Sequence, residues 1–224
     1  MPTNRKVVFA NDEIYHVFNR GVEKRPTFTN KRELERALLA FDYYRFDKLP
    51  VKLSRLLTLP YDLRVKVLQN VYTESQKLVE IICYCLMPNH FHFLLKQKKD
   101  GGISTFISNF TNSYTKYFNT KNERVGHLFQ GQFKAVHIGF NEQLIHVSRY
   151  IHLNPVSSFL IKPDQLENYY WSSYPEYIGA SNKVTCDKES VLEQFSTKEK
   201  YKQCVLDQAD YAQKLEQIKH LTLE

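Results

Sequence analysis

The sequence predicts an α+β protein built on an antiparallel sheet. Three observations lead there. Short runs of β-forming residues are bounded by Gly, Pro and Asn turn signals, two longer segments between them carry apolar residues at helical spacing, and a third such segment follows. In chain order these read β-α-β-β-α-β-α. The first six match the ferredoxin-like split β-α-β plan.

Residues 14–19 are rich in β-formers and end at the turn signal Arg20-Gly21, which makes them the first strand. Asn30 can cap a helix, with Glu33 three residues on as its capping-box partner. Leu34, Ala37, Leu38 and Phe41 then repeat at helical spacing, so a helix is expected over about residues 31–46. Residues 47–77 are interrupted by Pro50 and Pro60 and carry Leu53, Leu56, Leu57, Leu63, Val67 and Val71 among basic residues; they read as a helical insertion. Residues 78–86 are apolar on both faces, the pattern of a central strand. Met87-Pro88-Asn89 turns that strand into the one beginning at His90, giving a hairpin. Asp100-Gly101-Gly102 ends the second strand. Ile103, Phe106, Ile107, Phe110, Tyr114 and Tyr117 then form one helical stripe, read as core. Residues 126–138 hold a loop and a strand. Asn141 and Glu142 open a third helix with Leu144, Val147, Ser148 and Ile151 on its core side, and Pro155 is expected to stop it. The domain so drawn covers residues 12–156. Residues 157–224 form a C-terminal extension: a Tyr-rich loop around Trp171, then two charged helical stretches, about 188–195 and 198–220.

At 224 residues the chain is long enough for one full core with extensions. It carries a formal charge of +7, 15 Tyr and 15 Phe. Cationic groups meet phosphates and rings stack on unpaired bases, so this composition suits a polyanion, although a merely basic soluble protein shares it. Cys83, Cys85, Cys186 and Cys204 contain no Cys-x-x-Cys spacing, which excludes a zinc ribbon and gives no disulfide framework. No apolar run reaches membrane-spanning length and residues 1–12 lack a signal-peptide core, so no membrane partner and a cytoplasmic location are expected.

The chemistry centres on Met87-Pro88-Asn89-His90-Phe91-His92-Phe93-Leu94-Leu95-Lys96. Side chains alternate across a strand, so His90 and His92 share one face while Phe91 and Phe93 share the other. Two imidazoles on one face can hold one metal ion, but His-x-His alone is a weak signal. On the third helix Tyr150 and Asn154 stack four apart, with His146 four before Tyr150. If that helix crosses the His90/His92 face, a phenol comes near the cation and Asn154 can add an oxygen. Two neutral imidazoles and a carboxamide suit Mg²⁺ or Mn²⁺ beside phosphate oxygens. On spacing alone, a capping Asn154 and a surface Tyr150 account for the same residues.

The runs Tyr84 to Lys96, Asn112-Ser113-Tyr114-Thr115-Lys116-Tyr117-Phe118-Asn119, Gly126-His127-Leu128-Phe129-Gln130-Gly131 and Arg149-Tyr150-Ile151-His152-Leu153-Asn154-Pro155-Val156 occur in that order. Together they resemble the REP-associated tyrosine transposases, IS200-like single-tyrosine members of the HUH nuclease superfamily, over about residues 12–180. The resemblance implies a ferredoxin-like HUH domain with His90 and His92 as the metal pair, Tyr150 as nucleophile and Asn154 completing the metal site. The implied substrate is single-stranded DNA beside a REP-like hairpin, cleaved and rejoined through a 5′-phosphotyrosine with Mg²⁺ or Mn²⁺. No Walker-type loop is present, in keeping with strand transfer that needs no ATP. Position 132 is Gln where the family would have Arg. Lys116, Lys121, Arg124, Lys134 and Arg149 are candidate phosphate contacts, His146 a candidate support for the site, and His127 and His152 further candidates; a solvated basic face and ordinary histidines are the alternatives. A hairpin-binding module without cleavage is the competing function, and a homodimer stays open.

Overall fold

The structure, a computed structural model, describes residues 7–181 and 185–221. Four strands, β1 (Ile14–Arg20), β2 (Val79–Met87), β3 (His90–Gln97) and β4 (Lys134–Ile138), form one sheet in the order β2-β3-β1-β4, antiparallel throughout. This is the split β-α-β order expected. Helix α1 (Lys31–Tyr43) connects β1 to the insertion, and α4 (Gly102–Lys121) connects β3 to β4. Both lie on the face where Phe91 and Phe93 point. Phe93 meets Phe41 at 4.4 Å and Phe110 at 5.4 Å between ring centroids, and Phe91 meets Phe110 at 5.5 Å. Asn30 caps α1 as expected: its side chain accepts from Glu33 N, and Glu33 reaches back to the amide of Thr29 at 2.7 Å. Gly101 takes φ 66, and a Cβ on Gly102 would stand 2.3 Å from the Leu78 carbonyl oxygen, so the turn into α4 needs both glycines.

The insertion leaves and re-enters at one point. α1 ends at Tyr43, short of the expected residue 46, because Phe46 is drawn into a bridge with Lys77 while Asp47 N bonds Gln76 O at 2.9 Å. Between them lie α2 (Leu53–Leu56) and α3 (Tyr61–Glu74), with Pro60 at the start of α3.

Helix α5 (Asn141–Ser157) covers the opposite face, packing across β2 and β3. Pro155 does not stop it. In the last turn its missing N–H costs a single bond, and the helix closes beyond it through Ser158 N to Asn154 O at 3.1 Å.

The expectation that residues 78–86 form a central strand is also corrected: β2 is an edge. Its two apolar faces are covered by the two helical layers, and its open edge by the C-terminal extension. Leu86 N bonds Trp171 O, Ser173 N bonds Tyr84 O and Asp187 N bonds Ile81 O, at 2.9, 3.0 and 2.7 Å. After α6 (Tyr174–Tyr177) the extension continues as α7 (Glu189–Leu192), α8 (Lys198–Leu206) and α9 (Ala209–Leu221). The stretch expected to be one helix over 198–220 is two. It bends at Asp207-Gln208, which lets Tyr201, Val205 and Ala209 all bury. Among the described residues, no helix is long and apolar enough to cross a membrane.

Candidate active site

Strand alternation on β3 sends His90 and His92 to the face that α5 crosses. β1 lies beside them in register, with Phe18 opposite His92 and Arg20 opposite His90. His16, two residues before Phe18, therefore stands on the same face. Its Nε2 lies 2.9 Å from His92 Nδ1, and the rings stack at 5.1 Å. The Phe18 ring flanks both imidazoles, at 4.9 Å from His16 and 5.6 Å from His92. His90 is held by its neighbour, with Nδ1 2.6 Å from Asn89 Oδ1, and meets His92 edge-on at 5.1 Å.

From α5 the Tyr150 ring approaches His92 at 5.4 Å and His16 at 6.0 Å between centroids. Tyr150 is 39 % exposed where His16 and His92 are buried. One turn on, Asn154 is buried. Its Nδ2 donates to the Tyr150 carbonyl at 2.8 Å, which leaves the amide oxygen to turn toward His90, with which the side chain is hydrogen-bonded.

These residues fit a divalent cation. Each imidazole of the pair is anchored through Nδ1, so a metal would be met by Nε2, and the Asn154 oxygen is a hard donor beside them. Among the described residues no group of three or more His, Cys, Asp or Glu could hold a metal. A donor set of two imidazoles and an amide would suit Mg²⁺ or Mn²⁺ completed by substrate oxygens. Burial pushes His16 down to about 4. Burial likewise pulls His90 below the ordinary histidine value, helped by the Arg20 cation and opposed by Asn154 and the Glu216 carboxylate. Neutral imidazole is the form that ligates.

Of the residues singled out in the sequence, the structure brings together His90, His92, Tyr150 and Asn154. Lys134 opens β4 opposite Phe18, hence on the same side of the sheet. Arg149 meets His146 Nδ1 at 3.1 Å through Nη2 and Cys204 Sγ at 3.7 Å through Nη1, so His146 and Arg149 engage each other on α5. Lys116 and Lys121 belong to α4, on the opposite face, where Lys121 Nζ pairs with the buried Glu33 carboxylate at 2.7 Å. Arg124 is engaged by Asn119 Oδ1 and the His127 carbonyl at 2.6 and 2.9 Å. Gln132 is exposed in the loop before β4. His152 is fully buried, with Nδ1 2.7 Å from Tyr201 Oη and Nε2 2.8 Å from Ser173 Oγ, tying α5 to the extension. Sequence reasoning missed His16, Arg20 and Asn89. His16 and Phe18 share a strand face in any reading of β1, but only the register against β3 places them beside His92.

Residues 58–154 match a family profile described as "Transposase IS200 like". No curated protein matches the chain. Among solved structures, a REP-associated tyrosine transposase bound to a REP hairpin is similar at a TM-score of 0.52 and 14 % identity, over 82 % of this chain and 89 % of that one. A proposed transposase from Deinococcus radiodurans R1 aligns at a TM-score of 0.36 and 11 % identity, over 67 % of this chain and 95 % of that one. Residues 58–154 are thus similar to the IS200-like transposases, and the fold of the chain is that seen in a REP-associated tyrosine transposase.

Proposed function

We propose that this protein is a transposase: a metal-dependent endonuclease and strand transferase acting on single-stranded DNA next to a hairpin, with Tyr150 as its nucleophile. The observation that carries the reading is the convergence of one accessible phenol with His90, His92 and Asn154 from two different elements. Similarity to a protein seen with a REP hairpin supports the choice of substrate.

The chain's own groups divide the work. Tyr150 Oη forms a bond to phosphorus while the bond from phosphorus to the 3′ oxygen breaks. The phenol loses its proton, the leaving oxygen gains one, and the products are a 5′-phosphotyrosine and a 3′-hydroxyl. A free phenol titrates near 10, so attack at neutral pH needs assistance. A divalent ion held by His90, His92 and Asn154 would supply it by drawing charge from a non-bridging phosphate oxygen. Asn154 has a double role: it grips the Tyr150 carbonyl with its nitrogen and faces His90 with its oxygen, so the nucleophile's turn of helix is registered to the metal pair. Arg20 places a cation beside His90, where a scissile phosphate would lie. The phosphotyrosine keeps the energy of the cleaved ester, and a second 3′-hydroxyl can attack it to rejoin strands.

Incubation with labelled single-stranded hairpin DNA and Mn²⁺ tests the reading. A covalent protein–DNA band that is absent with Tyr150→Phe is the expected result. Hairpin binding with no adduct on any substrate would favour the hairpin-binding module instead.

A further inference from the structure

On the sheet face away from Tyr150, α1, α2 and α4 enclose a groove of about 950 Å³. Arg36 lies in its wall and is only 7 % exposed. Its Nη2 meets Ser113 Oγ at 3.3 Å and its guanidinium lies 5.5 Å from the centre of the Tyr117 ring, but Nη1 has no hydrogen-bond partner. Among the described residues no carboxylate pairs with it. A buried charge without a counter-charge is costly, and burial works against this one. Tyr117 Oη, in the same groove, is also unpartnered. Arg32, Lys52 and Lys116 stand exposed at the rim, against one acidic residue, Glu35, which is near Lys31 at 3.9 Å.

The groove does not end there. A second depression shares Lys116 with it, and a third shares Thr115 with the second and reaches Asn19 and the loop of residues 126–133. That loop is bonded to β1 at Arg20, through Gln130 N to Arg20 O at 2.8 Å and Arg20 Nε to Gln130 Oε1 at 2.7 Å. Arg20 stands opposite His90. A single small anion would need the Arg36 wall alone. A groove with Arg32, Lys52 and Lys116 at its rim, continued along α4 by polar depressions that reach the strand bordering the candidate active site, fits a polyanion whose far part lies behind the sheet and whose near part enters the site.

We propose that the α1–α4 groove binds the sugar-phosphate backbone of the hairpin stem, with Arg36 taking one phosphate and Lys52 and Lys116 its neighbours. This rests on the reading of the protein as a hairpin-processing transposase and assigns the face that grips the stem. Stem recognition is then carried by residues a full sheet away from those that cut.

Fluorescence anisotropy with a labelled hairpin, over a range of salt concentrations, tests it in the full chain. The exposed double variant Lys52→Glu/Lys116→Glu is expected to bind at least about tenfold more weakly, with the slope of log K against log salt shallower by roughly 0.9 for each phosphate the variant no longer neutralises. Arg36→Met should weaken hairpin binding without lowering Tm, because it replaces an uncompensated buried charge by an apolar chain of similar length. Native affinity and native slope in the double variant would overturn the proposal while leaving cleavage by Tyr150 untouched, since the adduct assay reads the other face. An equal loss on a stemless strand of the same length would overturn the assignment to the stem. Failure of the native protein to bind any hairpin would overturn this proposal together with the function it rests on.

Discussion

The two faces of β3 are made by alternate residues of one strand, yet they do opposite things. Phe91 and Phe93 are fully buried in an aromatic layer with Phe41, Phe106 and Phe110. His90 and His92, interleaved with them, stand among polar groups that hold rings in place: Asn89, His16 and Asn154. The first face gives its side chains to cohesion. The second gives them to orientation and leaves one phenol accessible. Substitutions should therefore separate cleanly, stability responding on one side and chemistry on the other.

The largest separation is expected from Tyr150→Phe. It removes a single oxygen from a partly exposed ring, so denaturant unfolding should shift by less than about 1.5 kcal/mol, while the covalent adduct disappears altogether. Adduct formation in that variant would mean that some other group is the nucleophile. Phe93→Ala should do the reverse: it leaves His90, His92 and Tyr150 in the sequence and costs about 3–5 kcal/mol of stability by opening a cavity in the aromatic layer. If instead its melting transition stays close to native, the layer is not the foundation the contrast requires.

A finer test lies within the polar face. His16 Nε2 against His92 Nδ1 fixes the orientation of the ring that would meet the metal on the proposed reading, and removing such a support weakens metal affinity by roughly 10–100-fold. His16→Phe keeps an aromatic ring and drops both nitrogens. Isothermal titration with Mn²⁺ should show that loss with little change in Tm. Unchanged Mn²⁺ affinity would reduce His16 to a packing residue.

How much of this could be read from the chain alone depended on whether the signal was local. The β-α-β-β-α-β order, the Asn30–Glu33 cap, and the opposition of His90/His92 to Phe91/Phe93 follow from periods of 2 and 3.6 and from capping chemistry, and the structure has them. His16 was hidden because its role depends on strand register, which no single strand encodes. β2 was misjudged because a strand covered on both faces looks alike whether its edge meets another strand or a loop such as residues 171–173. Pro155 was misjudged because a proline in the last turn of a helix costs one bond, not the helix. The internal ties of Lys121 and Arg124 were invisible for a different reason: a cation's partner, Glu33 or Asn119, is chosen by the tertiary fold.

The smallest effect expected is a pH dependence seated at the junction of α5 with the C-terminal extension. His152 is fully buried between Tyr201 Oη and Ser173 Oγ, and burial pushes it down to about 3 from the ordinary 6.5. The unfolded chain takes up this proton near pH 6.5, the folded chain only near 3. Between those limits the unfolded state holds more protons, so stability rises with pH. The contribution is whole above about pH 6.5 and is lost as pH falls, by up to about 1.4 kcal/mol per unit. His16, pushed down to about 4 by burial, acts in the same direction. Urea unfolding of the metal-free protein at pH 7.0, 6.0 and 5.0 should therefore show a falling midpoint. His152→Gln keeps a donor and an acceptor but cannot titrate, so it should flatten part of that fall and leave the part that His16 and His90 contribute. A slope as steep in His152→Gln as in the native chain would place the titrating groups elsewhere, and the junction would then be held by packing of Tyr201 and Tyr177 alone.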